Sequence, residues 1–162
     1  MWFSSTVSTK RLKMRFLGLF RHSRSGTHIG NPMKNILVLD DEACVRGLLG
    51  RVLPNHGYPV IEAVCPVQAI EKCAEVDGNV SLLIAEAMPP CSGLAVSAEP
   101  KASISHLKVL LISGLPPDQW PDYCATHLRR LPPDSFKILA KPFTHWDILR
   151  AVNDLIGEAE IP

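Results

Sequence analysis

The chain has 162 residues, 46% of them apolar and 20% charged, with a formal net charge of +1; this is room for one ordinary domain and a tail, not for two full domains. The charge is unevenly placed. Residues 1–32 carry six Lys/Arg and no acid, while residues 33–162 carry 11 basic and 16 acidic side chains, a balance of −5, which is a poor match to nucleic acid, whose binding rests on Lys/Arg against phosphate.

In chain order, the first feature is KRLKMRFLGLFRHSR, residues 10–24, basic with a short apolar patch. It has the make-up of a surface-associating segment but lacks the long apolar core and cleavage site of a secretory signal. Residues 1–32 are expected to be a disordered extension, or the product of a start placed too early, with Met33-Lys34-Asn35 as a natural beginning. No apolar run approaches the ~20 residues that span a bilayer, so a cytoplasmic protein is expected.

From Asn35 two patterns alternate. NILVL (35–39) is a short continuous apolar run of the kind buried on both faces of a parallel sheet. Residues 43–53 carry Val45, Leu48, Leu49, Val52 and Leu53, the stripe of an amphipathic helix, which Pro54 and Asn55-His56-Gly57 stop. PVIEAV (59–64) reads as a second strand. Pro66 suits the first turn of a helix running to about Glu75, and Asp77-Gly78-Asn79 is a turn. VSLLIAE (80–86) is a third strand, followed by a loop that Met88-Pro89-Pro90 forces. A helix from Gly93 to about Ala98 is cut short by Pro100. LKVLLIS (107–113) is a fourth strand, Trp120 to Leu131 a weaker helix, and FKILA (136–140) a fifth strand. Thr144-His145-Trp146-Asp147 reads as a capping box. It opens a last helix whose apolar face is Ile148, Leu149, Val152, Leu155 and Ile156, closed by Gly157.

Five cysteines, at 44, 65, 73, 91 and 124, form no CxxC pair. They are expected to be reduced and mostly buried. Six histidines show no metal-ligand spacing and are expected on the surface or in loops.

Strands alternating with helices in this way predict an α/β, doubly wound sandwich, whose site lies outside the carboxyl ends of the strands. Those ends carry Asp40-Asp41, Ala85-Glu86, Ser113-Gly114 and Ala140-Lys141-Pro142. Adjacent acids, a hydroxyl and a lysine at one sheet edge suit Mg²⁺ and a phosphoryl group. Carboxylates hold the hard cation, the lysine neutralises phosphate charge, and the hydroxyl donates one hydrogen bond. Taken singly, each has a plainer reading: a helix N-cap, a turn serine, a solvated lysine.

On ILVLDDE, LLIAEAMPPCSG, VLLISG and ILAKPFT, residues 34 to about 157 resemble the receiver domain of bacterial response regulators. The resemblance implies a (βα)5 flavodoxin-like fold with a parallel sheet in the order 2-1-3-4-5. It also implies two-component signalling by phosphorelay, with transfer from a partner histidine kinase to an aspartate. It places Asp40 and Asp41 as Mg²⁺ ligands, Ser113 as the switch hydroxyl, Lys141 as the phosphate contact, and Pro142 as the following proline, often on a cis bond.

Aligned without a gap on Met88-Pro89 and Gly93, and on the 44-residue separation from Asp41, the acceptor position holds Ala85, whose methyl group cannot be phosphorylated. The aromatic switch position holds Ile138. Since successive strand residues face opposite ways, Ala85 in the pocket would turn Glu86 out of it. Only a bulge would bring Glu86 back, which leaves it the weaker alternative as a surrogate acceptor. Removing one carboxylate also relieves like-charge repulsion and removes a metal ligand, so Mg²⁺ is expected to bind weakly or not at all.

The expectation is therefore a receiver-like domain at 33–158, with a short tail at 159–162 and no output domain. It is a stand-alone pseudo-receiver, not an enzyme, that works by binding a protein partner such as a histidine kinase or another two-component protein. A competent acceptor using Glu86 is the alternative, and a flavodoxin-type small-molecule binder is a remote one, because no Gly-rich loop follows the first strand.

Overall fold

The computed structural model describes residues 34–87, 107–129 and 131–159. The N-terminal extension, the Met88–Gly93 turn, the short helix beginning at Gly93 and residues 160–162 lie outside the described residues. The elements are β1 (Ile36–Leu39), α1 (Ala43–Val52), β2 (Val60–Ala63), α2 (Pro66–Glu75), β3 (Leu82–Glu86), β4 (Lys108–Ser113), α3 (Asp122–Leu128), β5 (Phe136–Ala140) and α4 (His145–Ile156). All strand pairs are parallel, in the order β2-β1-β3-β4-β5. This is the flavodoxin-like arrangement expected.

The period-two alternation of the strands sorts their side chains onto two cores. Ile36 and Val38 of β1, Leu82 and Ile84 of β3 and Leu110 and Ile112 of β4 pack with Leu49 of α1 and with Ile148, Leu149, Val152 and Leu155 of α4. On the other face, Leu37, Leu39, Leu83 and Ala85 pack with Ala63 and with Ala69, Ile70 and Cys73 of α2. Val109 and Leu111 pack there with Ala87, Trp120 and Cys124. The continuous apolar runs of β1 and β3 follow from this double coverage, because both faces are dry.

Local chemistry fixes the element ends. Gly57, at φ 81°, closes the turn after α1, a left-handed conformation that glycine adopts without a Cβ penalty. The capping box at α4 is formed as expected: the Asp147 N–H donates to Thr144 Oγ1 (3.3 Å), and the Thr144 N–H donates to Asp147 Oδ2 (2.8 Å). One helix starts later than predicted. Trp120 precedes Pro121 and is held extended, at ψ 147°, because the proline ring disfavours the helical region for the residue before it. The helix therefore begins at Asp122. Among the cysteines, Cys73 and Cys124 are buried but Cys44 is exposed and Cys65 half-buried. Desolvation pushes the Cys73 thiol up to about 11.

Candidate functional site

The site is built at the carboxyl ends of β1, β3 and β5. Asp40 directly follows β1 and continues the side-chain phase of Ile36 and Val38. It is only 2% exposed. Its Oδ1 accepts the Glu42 N–H at 2.8 Å, whereas Oδ2 is buried with no hydrogen-bond partner. Burial, the strongest influence, raises the Asp40 pKa, with the charges of Glu86 and Glu42 adding to it; the hydrogen bond from Glu42 N–H and the Lys141 charge oppose the rise. Asp41 is exposed. The Arg46 guanidinium donates to the carbonyls of both Asp40 (2.9 Å) and Asp41 (3.0 Å), which ties this turn to α1.

Lys141 emerges from β5 in the phase of Leu139, towards the α1/α4 side. Its ammonium donates to Glu42 Oε1 at 2.5 Å and to Glu86 Oε2 at 2.8 Å. Burial works to lower the Lys141 pKa, but the hydrogen bonds to Glu42 and Glu86 and the charges of Glu86 and Asp40 outweigh it, and the net shift is upward. The hydrogen bond from Lys141 holds the Glu42 carboxyl below its usual range. The Lys141–Pro142 peptide bond is cis.

The phase of β3 corrects the expected orientation of Ala85 and Glu86. Leu39 of β1 pairs with Ala85, and both side chains lie in the core beneath α2. Ala85 is 1% exposed and does not face the lysine. Glu86 continues the phase of Leu82 and Ile84, lies level with Asp40, and reaches Lys141 with no bulge. The β1–β3 register puts Glu86, not Ala85, in the phase of Asp40 and beside the pocket acids. The pocket has therefore kept a carboxylate, and the relief of repulsion expected from an alanine does not apply.

Ser113 sits at the end of β4 in the phase of Val109 and Leu111, on the face away from Glu86 and Lys141. It is fully buried. Its hydroxyl donates to the Leu115 carbonyl (2.8 Å) and accepts from the Leu115 N–H (3.1 Å) and from the Trp120 indole N–H (3.2 Å). Ile138 packs in the same cluster as Trp120. The hydroxyl is thus engaged by its own loop and by Trp120. Trp120 and Glu42 are the participants that sequence reasoning gave no role. Glu42 was visible as the third acid of Asp-Asp-Glu, whereas nothing local marked Trp120 as a partner of Ser113.

The residues present fit a divalent cation poorly. The unpartnered Asp40 Oδ2 offers one oxygen. However, Lys141 holds the Glu86 and Glu42 carboxylates, and among the described residues no three or more His, Cys, Asp or Glu side chains gather as an ion's donors.

Comparison with known proteins bears on the class. No family model matches the chain. The sensor kinase CckA of Brucella abortus (strain 2308) is 29% identical over 127 residues, which are 77% of this chain and 13% of the kinase; the chain spans only that small part of its relative. Among solved structures, a response regulator receiver domain protein from Clostridium thermocellum is 25% identical with a TM-score of 0.60, covering 76% of this chain and 94% of that one. The receiver domain of the hybrid histidine kinase CckA is 26% identical with a TM-score of 0.55, covering 75% and 98%. The chemotaxis protein CheY4 of Vibrio cholerae, at 18% identity, TM-score 0.62 and coverage of 76% and 99%, shares the fold. The chain has the fold of a response regulator receiver domain, and its sequence is similar to receiver domains. Among the described residues no helix is long and apolar enough to cross a membrane.

Proposed function

We propose that this receiver-type domain works in two-component signalling as a protein-binding module whose pocket is held by its own ion pairs. The observation that carries the reading is Lys141, whose ammonium is shared between Glu86 and Glu42. The lysine that would meet a phosphoryl group already has two carboxylate partners, and the Ser113 hydroxyl is committed to Leu115 and Trp120. The domain is a pseudo-receiver in this sense, not an enzyme, and its partner is a histidine kinase or another two-component protein of the cytoplasm.

The placement of Glu86 favours a second reading, in which its carboxylate accepts a phosphoryl group. A Glu86 oxygen would attack phosphorus, forming an O–P bond while the donor's bond to phosphorus breaks and its electron pair leaves with the donor. Incubation with acetyl phosphate and Mg²⁺, read by intact mass, separates the two. The binding-module reading expects no phosphate adduct on the native chain. The second expects an adduct that Glu86→Gln abolishes.

A further inference from the structure

Away from the strand ends, the indole of Trp146 stands between two histidines. Trp146 is the second residue of α4 and is 62% exposed. The His56 ring meets it in an edge-to-face contact, with centroids 6.5 Å apart and planes at 77°. The His145 ring lies tilted against it at 4.6 Å and 42°. His56 ends the 3-10 turn Pro54–His56 that follows α1, so its contact with Trp146 joins the end of α1 to the start of α4. Both rings line a groove of about 620 Å³.

The two histidines are set differently. His56 Nδ1 lies 2.9 Å from the Val52 carbonyl. A carbonyl only accepts, so Nδ1 carries a proton in both charge states and Nε2 is the nitrogen that titrates. Val52 is the last residue of α1, and its carbonyl belongs to the negative end of that helix, where a cation is favoured. An imidazolium is also drawn to an indole ring. Charge on His56 therefore strengthens both of its contacts. His145 is the first residue of α4, at the positive end of that helix, which opposes charge there, while the Asp147 carboxylate favours it.

The other charges facing this corner hold still across the histidine range. Arg51 of α1 is turned back on the Gly47 carbonyl. Tyr58 is buried, which pushes its hydroxyl further up. On α4 and just beyond it, Asp147 is capped onto Thr144, Asp154 is paired with Lys137, and Arg150 and Glu158 stay ionised, with the Lys34 ammonium on the Glu158 carbonyl. Only His56 and His145 change charge here between about pH 5.5 and about pH 8.

We propose that His56 and Trp146 form a pH-sensitive clasp between the end of α1 and α4: a proton on His56 fixes the indole as a wall of the groove, and loss of that proton releases it. The clasp is closed at acid pH and opens as pH rises through the histidine range. The shape of this face thus follows pH independently of the strand-end pocket.

The test uses the full chain labelled with 5-fluorotryptophan, with the Trp146 fluorine resonance assigned by its loss in Trp146→Phe. Between about pH 5.5 and about pH 8, that resonance is expected to move in a one-proton transition that disappears in His56→Gln and persists in His145→Gln. A double-mutant cycle of His56→Gln and Trp146→Phe, read by urea unfolding, measures the contact itself. Its coupling is expected to be roughly 2- to 5-fold in the unfolding equilibrium constant at the acid end, the size of an exposed cation–aromatic contact, and absent at the alkaline end. A resonance that does not titrate, a transition that survives His56→Gln or is lost in His145→Gln, or a coupling equal at the two ends would each overturn the proposal.

Discussion

Replacing Lys141 by methionine removes the one cation that Glu86 and Glu42 share while keeping most of the side chain's bulk. At 2.8 Å between Lys141 Nζ and Glu86 Oε2, an effective dielectric of about 20 gives a gross attraction of roughly 6 kcal/mol. The side chains are 25% and 17% exposed, so desolvation of both groups offsets much of it. The net coupling should fall between the exposed and fully buried limits, about 1–2 kcal/mol. The single substitution costs more, about 2–4 kcal/mol, because Glu86 is left beside the buried Asp40 with no counter-charge. A double-mutant cycle with Lys141→Met and Glu86→Gln, read as urea unfolding midpoints at neutral pH, isolates the pair. Lys141→Met should be strongly destabilising alone and much less so on the Glu86→Gln background. A coupling under about 0.3 kcal/mol, within the spread of independent sites, would refute the claim that Lys141 and Glu86 form the pocket's central contact.

Three further outcomes follow from the geometry. Ala85→Asp should destabilise the fold by about 3–5 kcal/mol, measured by urea unfolding, because it forces a carboxylate among Leu37, Leu39 and Ala63 with no cation to meet it. Thr144 holds the Asp147 carboxyl below its usual range, first through its hydroxyl and then through its backbone N–H. A lowered folded-state pKa stabilises above the unfolded value and is lost as pH falls through the folded one. The cost of Asp147→Asn should thus be full at neutral pH and fade below the ordinary value of 3.8, as thermal melts across that window would reveal. Calorimetric titration with Mg²⁺ should detect no sub-millimolar site in the native chain, since Lys141 already holds Glu86; a sub-millimolar affinity would count against that account.

Much of the fold was legible because buried parallel strands leave a strong trace. ILVL, LLIAE and FKILA are continuous apolar or nearly apolar runs, and each became a strand within two residues of its expected bounds. Thr144 and Asp147 announced α4 through local hydrogen bonding alone. The site was read less well, and for a physical reason. Which of Ala85 and Glu86 faces the lysine depends on the register of β3 against β1, a contact between residues 46 positions apart, and no spacing within one stretch of chain fixes it. The Met-Pro offset is local, whereas register is set by which alternation buries Leu83 and Ala85 beneath α2. Trp120 was likewise out of reach, since its bond to Ser113 exists only once β4 and the following loop are folded together.

Intact-mass analysis after incubation with acetyl phosphate and Mg²⁺ tests the central claim most directly, run on the native chain, on Glu86→Asp and on Ala85→Asp. Glu86→Asp shortens the carboxylate by one methylene, which withdraws it from Lys141 and gives the pocket an aspartate in the phase that faces it. A phosphate adduct on Glu86→Asp alone is the predicted result. An adduct on the native chain, or on Ala85→Asp but not Glu86→Asp, would contradict the account.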